Sequence, residues 1–590
     1  MKYSHLIAKW LKEEGYTTCF FVAGGGIMHL LDGFRNEFEC IPVVHENTAG
    51  IAAEHFNECS PDKNKAFALV TTGPGLTNII TAISGCYVEH RELLVIAGQV
   101  KSTDLLKRPE RQRGVQEIDG QGILQNICAY TECLKKPIKR SEFLQKIRVA
   151  SNPHPGPVVF EICLDVQGAE IDRQSLNDNH LPTTSVEMVK YKENVVNTKD
   201  LIKNAQRPIF LIGGLVNRLT AKMLEPKLEK LGIPLATTTS AIDRISTNSK
   251  IFAGRTGTWG GHRAANLIIA QSDLCICIGA QLDLQQTGFN YEAFIPNAKL
   301  VHVFPSQTEL DREGPTAFKK ICAPVNEFLS DLLSEVSWKD SSSWLEYTQV
   351  IKKECPFIEE ANLVPSEHIN SFSFLHNLSR ATSKNEILAL CSSGGTFTGA
   401  LQSFAIKPGQ VATTSCAHAS MGYGLATAIG AALSNPGKKI ILTEGEGGFS
   451  QNLQELALLK KHKLPIKMFI FDNGGYASIR ATQKKFFNGA YVGCDPETGL
   501  CFPEWPQLFS AYGIQCNTLK TADYDVPKLK KLIHENFKPE AWIVPTDPMQ
   551  TNWPAVSTVL RDDGTLTSAP LYKMLPDLPP QTAKRVSRYL

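Results

Sequence analysis

Short, largely apolar runs that stop at glycine, proline or a polar residue recur along this chain, and the stretches between them carry apolar residues at helical spacing. In the first third the runs are TTCFFV, CIPVV, AFALV, ELLVIAGQV and PGPVVFEIC. In the middle they are RPIFLIGGLV, GIPLATTT, DLCICIGAQLD and AKLVHVFP, and in the last third NEILALC, KKIIL, IKMFIF and AWIVPTD. Runs of this length, apolar on both faces, are what strands buried in parallel sheets require. Alternation with helices predicts an α/β protein of three doubly wound parallel-sheet domains.

At 590 residues the chain is too long for one core. The pattern divides it into a first unit over 1–170, a polar linker over 171–190 and a second unit over 191–330. A charged helical connection follows over 331–372, then a third unit over 373–548 and a Pro- and polar-rich tail over 549–590. A net charge of +2 gives no field that would draw the chain to nucleic acid or an anionic membrane. No apolar run reaches eighteen residues, and the start, MKYSHLIAKWLKEEG, lacks a signal-peptide core, so the expectation is a cytoplasmic protein. The sixteen cysteines are scattered without a C-x-x-C pair, as buried thiols in a reducing compartment would be.

Candidate chemistry concentrates between Leu442 and Arg480, which reads strand, glycine turn, helix, strand, loop, with Gln451 onward helical. Such a unit places Gly445-Glu446-Gly447 and the Asn473–Gly475 loop at the carboxyl end of one sheet. A carboxylate and an amide oxygen on facing loops suit a hard cation that also holds phosphate oxygens. A lone glycine turn is usually only a turn, and the second loop is what changes the reading. The segment resembles the thiamine-diphosphate motif, GDG followed just under thirty residues later by an NN pair. That likeness implies Mg2+ held by Glu446, the Asn473 side chain and the Gly475 carbonyl. Two residues depart from it: Glu446 stands for the usual Asp and Asp472 for the first Asn. The extra methylene of Glu446 asks the metal or its loop to shift by about a bond length.

Other stretches resemble the same family. HENTAGIAAEHF is similar to its pyrimidine-domain motif, which implies that Glu46 bonds the cofactor's N1′. By position alone Glu46 is equally a first-turn glutamate favoured by the helix dipole. TTGPGLTN, with Pro74 and Asn78, looks like the family's GPG loop. The nest at Gly394, Gly395 and Thr396 matches the diphosphate loop. In HASMGYG, Met421 takes the place of the bulky apolar residue under the cofactor, and the Ala419 carbonyl that of the acceptor for N4′; a core methionine is the alternative. RGVQEIDG places Gln116 where a substrate-facing glutamine is found, or a solvated loop glutamine.

The resemblance runs over about 1–570 and is nearest the acetolactate synthase large (catalytic) subunit and its relatives. It implies thiamine diphosphate and Mg2+ as cofactors, decarboxylation of a 2-keto acid such as pyruvate, transfer of the acyl unit to an acceptor carbonyl, and a homodimer or homotetramer. FAD stays open, because GAQLDLQQTG only partly resembles the synthases' GARFDDRVTG. Another thiamine-diphosphate decarboxylase or oxidase and a non-catalytic homologue are the alternatives, although the adjacent histidines of pyruvate decarboxylases are missing. Arg480 reads either as a partner for a carboxylate or as a surface arginine. Thr482 and Val115 stand where the synthases carry a tryptophan and often a phenylalanine, which predicts a larger or more polar acceptor, such as a keto sugar.

Overall fold

The structure, a computed structural model, describes residues 1–590 except 63, 108, 152, 173–175, 177, 179–190, 339–341 and 561–563. Most of the expected polar linker therefore lies outside the described residues. Three six-stranded parallel sheets follow one another along the chain. The first is built from β1 (Tyr16–Phe21), β2 (Glu39–Pro42), β3 (Lys65–Val70), β4 (Leu93–Gln99), β5 (Tyr130–Leu134) and β6 (Pro157–Cys163), in the order β2-β1-β3-β4-β6-β5. The second holds β7 (Pro208–Ile212), β8 (Leu235–Thr237), β9 (Phe252–Arg255), β10 (Leu274–Ile278), β11 (Lys299–Phe304) and β12 (Lys319–Cys322), in the order β12-β11-β10-β7-β8-β9. The third holds β13 (Ile387–Leu390), β14 (Ala412–Thr413), β15 (Ile440–Gly445), β16 (Ile466–Asp472), β17 (Gln515–Thr518) and β18 (Glu540–Pro545), in the order β14-β13-β15-β16-β18-β17. The first and third sheets thus share one strand order.

The strands that the hydrophobic pattern does not predict, β5, β9, β12, β14 and β17, all lie at sheet edges. The helical spacing from Gln451 is realised only in part. Ser450–Glu455 is a 3-10 turn broken at Asn452, and the α-helix starts at Leu456. Among the described residues no helix is long and apolar enough to cross a membrane.

The helix Glu46–Cys59 lies along the helix Tyr423–Ser434, so close that a Cβ on Gly430 would fall 2.2 Å from the Ala52 carbonyl oxygen. One apolar core joins the first and third sheets across this contact. Arg218 links all three sheets. Its guanidinium pairs with Glu58 at 2.8 Å and Asp243 at 2.6 Å, and donates to the Ala412 carbonyl at 3.0 Å. Asp243 in turn accepts the Ala412 N–H at 2.9 Å.

Candidate active site

In an open parallel sheet, ligands bind at the carboxyl ends of the strands where the strand order reverses. Each sheet here has one such point, and they differ in whether there is room. In the first sheet the loops after β1 and β3 are packed together, since a Cβ on Gly24 would fall 2.5 Å from the Thr71 side chain. In the second, a Cβ on Gly213 after β7 would lie 2.1 Å from the Gly279 oxygen after β10. In the third, the loops after β13 and β15 stand apart. A Cβ on Gly394 would meet only Ser478 Oγ, at 4.0 Å, and one on Gly395 only Asn552 Nδ2, at 3.4 Å. One on Gly445 would meet only Thr396 Oγ1, at 3.7 Å. In the first sheet only Gly25 of the loop after β1 stands clear, whereas the third crevice is open at Gly394, Gly395 and Gly445.

Three loops furnish it. Gly394 and Gly395 open the helix Gly394–Ser403, whose first-turn N–H groups have no partner within the helix and suit an anion. Glu446, 1% exposed, follows β15, and its Oε1 accepts the N–H groups of Asn473 at 3.0 Å and Gly475 at 2.9 Å. The other oxygen makes no hydrogen bond to another described residue. Burial raises this carboxyl to about 7 against the two backbone donors that lower it. A cation beside it would relieve that cost, and the donor set of one carboxylate, one amide and one carbonyl fits Mg2+. Two positions ahead, Glu444 is pushed by burial to about 8, and its Oε2 has no hydrogen-bond partner. Only glycine fits beside it: a Cβ at position 424 would fall 1.6 Å from that oxygen.

Arg480 is neither a surface residue nor a free ligand for a carboxylate. It is 4% exposed, and its Nη2 donates to the Asn473 carbonyl (2.7 Å), to Asn473 Oδ1 (3.0 Å) and to the Pro548 carbonyl (3.2 Å). Its Nη1 donates to the carbonyls of Gly474 and Cys494. The guanidinium thus fixes the Asn473–Gly475 turn from behind and orients the Asn473 amide. An amide oxygen has two lone pairs, so Oδ1 retains one for a cation.

Ala419 and Met421 flank the same crevice, tied to it by a hydrogen bond from Ser392 Oγ to the Ser420 carbonyl. Ala419 is held at φ 52, a left-handed conformation that costs a non-glycine residue about 1–3 kcal/mol and gathers at functional sites. Met421 is half-buried rather than a core residue. Asn452 Nδ2 donates to the Gly422 carbonyl, which the break at Asn452 makes possible.

The remaining candidates form a second group on the first sheet. Glu46, 7% exposed, accepts a 3.0 Å hydrogen bond from Asn78 Nδ2. Its helix begins under the Glu455 carboxylate, which accepts the N–H groups of Val44 and His45. Gln116, at φ 61, puts its carbonyl against Gly73, next to Pro74. Among the described residues no hydrogen bond joins Glu46 or Asn78 to the Gly394–Thr396, Ala419–Met421 or Glu446–Gly475 group. Glu455 was missed in the sequence, where it closes the polar stretch Ser450–Glu455 and carries no distinctive signal.

Residues 1–123 match the thiamine pyrophosphate enzyme N-terminal TPP binding domain, 196–332 the central domain and 393–540 the C-terminal TPP binding domain. The chain belongs to the thiamine pyrophosphate enzymes. The open crevice falls within the part matching the C-terminal TPP binding domain, and Glu46 within the N-terminal one. This thiamine pyrophosphate enzyme is 27% identical over 549 residues to the probable acetolactate synthase large subunit of Methanocaldococcus jannaschii, covering 91% of its own length and 90% of the relative's. It is 26% identical over 533 residues to the acetolactate synthase isozyme 1 large subunit of Escherichia coli, at 88% and 90% coverage. To the mitochondrial acetolactate synthase catalytic subunit of Saccharomyces cerevisiae it is 24% identical over 552 residues, at 89% and 77%.

Proposed function

We propose that this enzyme uses thiamine diphosphate and Mg2+ to decarboxylate a 2-keto acid, pyruvate foremost, and transfers the acyl unit to an acceptor carbonyl. The observation that carries this reading is the open crevice of the third sheet, where a helix N-terminus faces a buried carboxylate clasped by a glycine turn. The N–H groups at Gly394 and Gly395 and the Thr396 hydroxyl receive the diphosphate. Glu446, Asn473 and the Gly475 carbonyl hold the cation, with Gly445 and Gly447 leaving the backbone room to turn. Met421 would pack against the cofactor, and the Ala419 carbonyl would accept from its N4′. Glu46 holds a proton at N1′, Pro74 and Asn78 wall the pyrimidine side, and Gln116 faces the substrate. When bound, thiamine diphosphate supplies the nucleophilic carbon and the electron sink. The protein supplies orientation and excludes water.

Because no hydrogen bond among the described residues joins Glu46 to the crevice within one chain, the reading includes a homodimer or homotetramer in which one copy's Glu46 serves its partner's crevice. Flavin is left out of it. The cavity at the second sheet's crevice, bounded by Gly214, Thr238 and Gly279, is small and is lined by the carboxylates of Glu89 and Asp283 with no lysine or arginine among its lining residues. A dinucleotide's diphosphate would meet repulsion there. Sixteen free thiols fit a cytoplasmic setting.

On the acceptor side, Thr482 and Val115 are both solvent-exposed, Val115 at 85%. Two small side chains where the synthases carry aromatic ones widen the site and favour a larger or more polar acceptor, such as the keto group of a sugar. The test is product analysis with pyruvate alone and with pyruvate plus keto sugars. The expected result is cofactor-dependent CO2 release, little acetolactate from pyruvate alone, and a new carbon–carbon bond with the sugar. Acetolactate formed from pyruvate alone on the order of 10 per second, typical of enzymes, would refute the altered acceptor.

A further inference from the structure

The tail after β18 returns to the crevice, and three contacts fix it there. The Pro548 carbonyl accepts from Arg480 Nη2 at 3.2 Å. Gln550 Oε1 accepts the Ser371 N–H at 3.3 Å, at the start of the helix Ser371–Ala381. Trp553 is held on both sides by Asn362: its N–H donates to Asn362 Oδ1 at 2.8 Å and its carbonyl accepts from Asn362 Nδ2 at 2.6 Å. Between these anchors Asn552, half-buried, presents its amide nitrogen to Gly395, only 3.4 Å from where a Cβ would stand. The side chain has no hydrogen bond to another described residue. Ser478 Oγ approaches Gly394 from the other side, in the first turn of the helix Ala477–Phe487. Two polar groups from separate elements therefore close over the first turn of the helix whose N–H groups suit an anion.

We infer that Asn552 is a cofactor-binding residue supplied by the tail, its Nδ2 donating to an oxygen of the thiamine diphosphate's diphosphate at Gly394–Gly395. The inference rests on the proposed assignment of that crevice to the cofactor. An amide is suited to the position because it offers N–H donors to an anion without adding charge beside the cation. The contacts at Arg480 and Asn362 hold the backbone on either side, so little conformational freedom remains to be lost when the bond forms.

The experiment is calorimetric titration of thiamine diphosphate, with Mg2+ present, into the full-length wild type, Asn552→Ala and Asn552→Asp. Each protein is also melted without ligand. The ligand-free melting temperatures should agree, since the Asn552 side chain has no hydrogen-bond partner among the described residues. Asn552→Ala should weaken binding roughly 10-fold, the loss of one hydrogen bond to a charged group. Asn552→Asp should weaken it further, because a carboxylate then faces the phosphates, while thiamine monophosphate should discriminate less among the three proteins. Unchanged cofactor affinity in both variants, with a raised KM for the keto acid instead, would overturn the inference and turn the side chain towards substrate. A wild type that takes up no thiamine diphosphate would sink the crevice assignment and the inference with it.

Discussion

Replacing Glu46 by glutamine is expected to leave the fold intact and to slow proton removal at the thiazolium C2 of bound cofactor by roughly 100- to 10,000-fold. The fold survives because an amide oxygen in the same place still accepts from Asn78 Nδ2, which Glu46 now does at 3.0 Å. On the proposed reading the rate falls because an amide cannot hold the proton that the carboxyl would share with N1′. Hydrogen–deuterium exchange at C2, followed by magnetic resonance, reads the step directly. Wild-type exchange in the variant would give the activating role to another group.

Glu446→Ala is expected to abolish Mg2+-dependent cofactor binding, since it removes the only charged protein ligand in the assignment. The carboxyl also sets a pH dependence. With its value raised to about 7, the protonated form is favoured in the cation-free fold. That contribution to stability is full below about 4.5 and lost as pH rises through about 7. A bound dication reverses the preference, so uptake below about 7 releases a proton. Affinity measured by calorimetry should climb by up to about tenfold per pH unit towards neutrality and then level off. Glu446→Gln should flatten the climb; unchanged binding would move the cation elsewhere. The two variants together test the shared site. Co-expressed Glu46→Gln and Glu446→Ala chains should regain activity, because a mixed dimer keeps one crevice with both carboxylates intact. Mixed chains that stay inactive would place each site within a single chain.

Apart from the edge strand β2, the strands legible in the sequence were those with neighbours on both sides. β4 (LLVIAGQ) and β16 (IKMFIFD) are buried almost end to end, and apart from Lys467 and the terminal Gln99 and Asp472 their runs are apolar. Edge strands meet solvent, and β17 (QCNT) and β12 (KKIC) carry polar residues that no apolar run would reveal. β14 has only two residues. At the site, glycine and carboxylate positions could be read from local spacing, because the loops follow directly from strand ends. Arg480 could not. Its burial depends on carbonyls at 473, 474, 494 and 548, which only the folded chain gathers. Asn552 was hidden for the same reason, being distant in sequence from the glycine it covers.

The guanidinium of Arg218, shared by Glu58, Asp243 and Ala412, ties together segments that belong to three different sheets. Loss of the Arg218 guanidinium would cost the fully buried Asp243 one of its charge partners, and Arg218 and Glu58 are only partly exposed. Heating should therefore give a single cooperative endotherm rather than three, with calorimetric and van't Hoff enthalpies in agreement. Arg218→Leu should split or broaden that endotherm. If the native protein already melts in separate steps, the three sheets are thermodynamically independent and the arginine is a spectator.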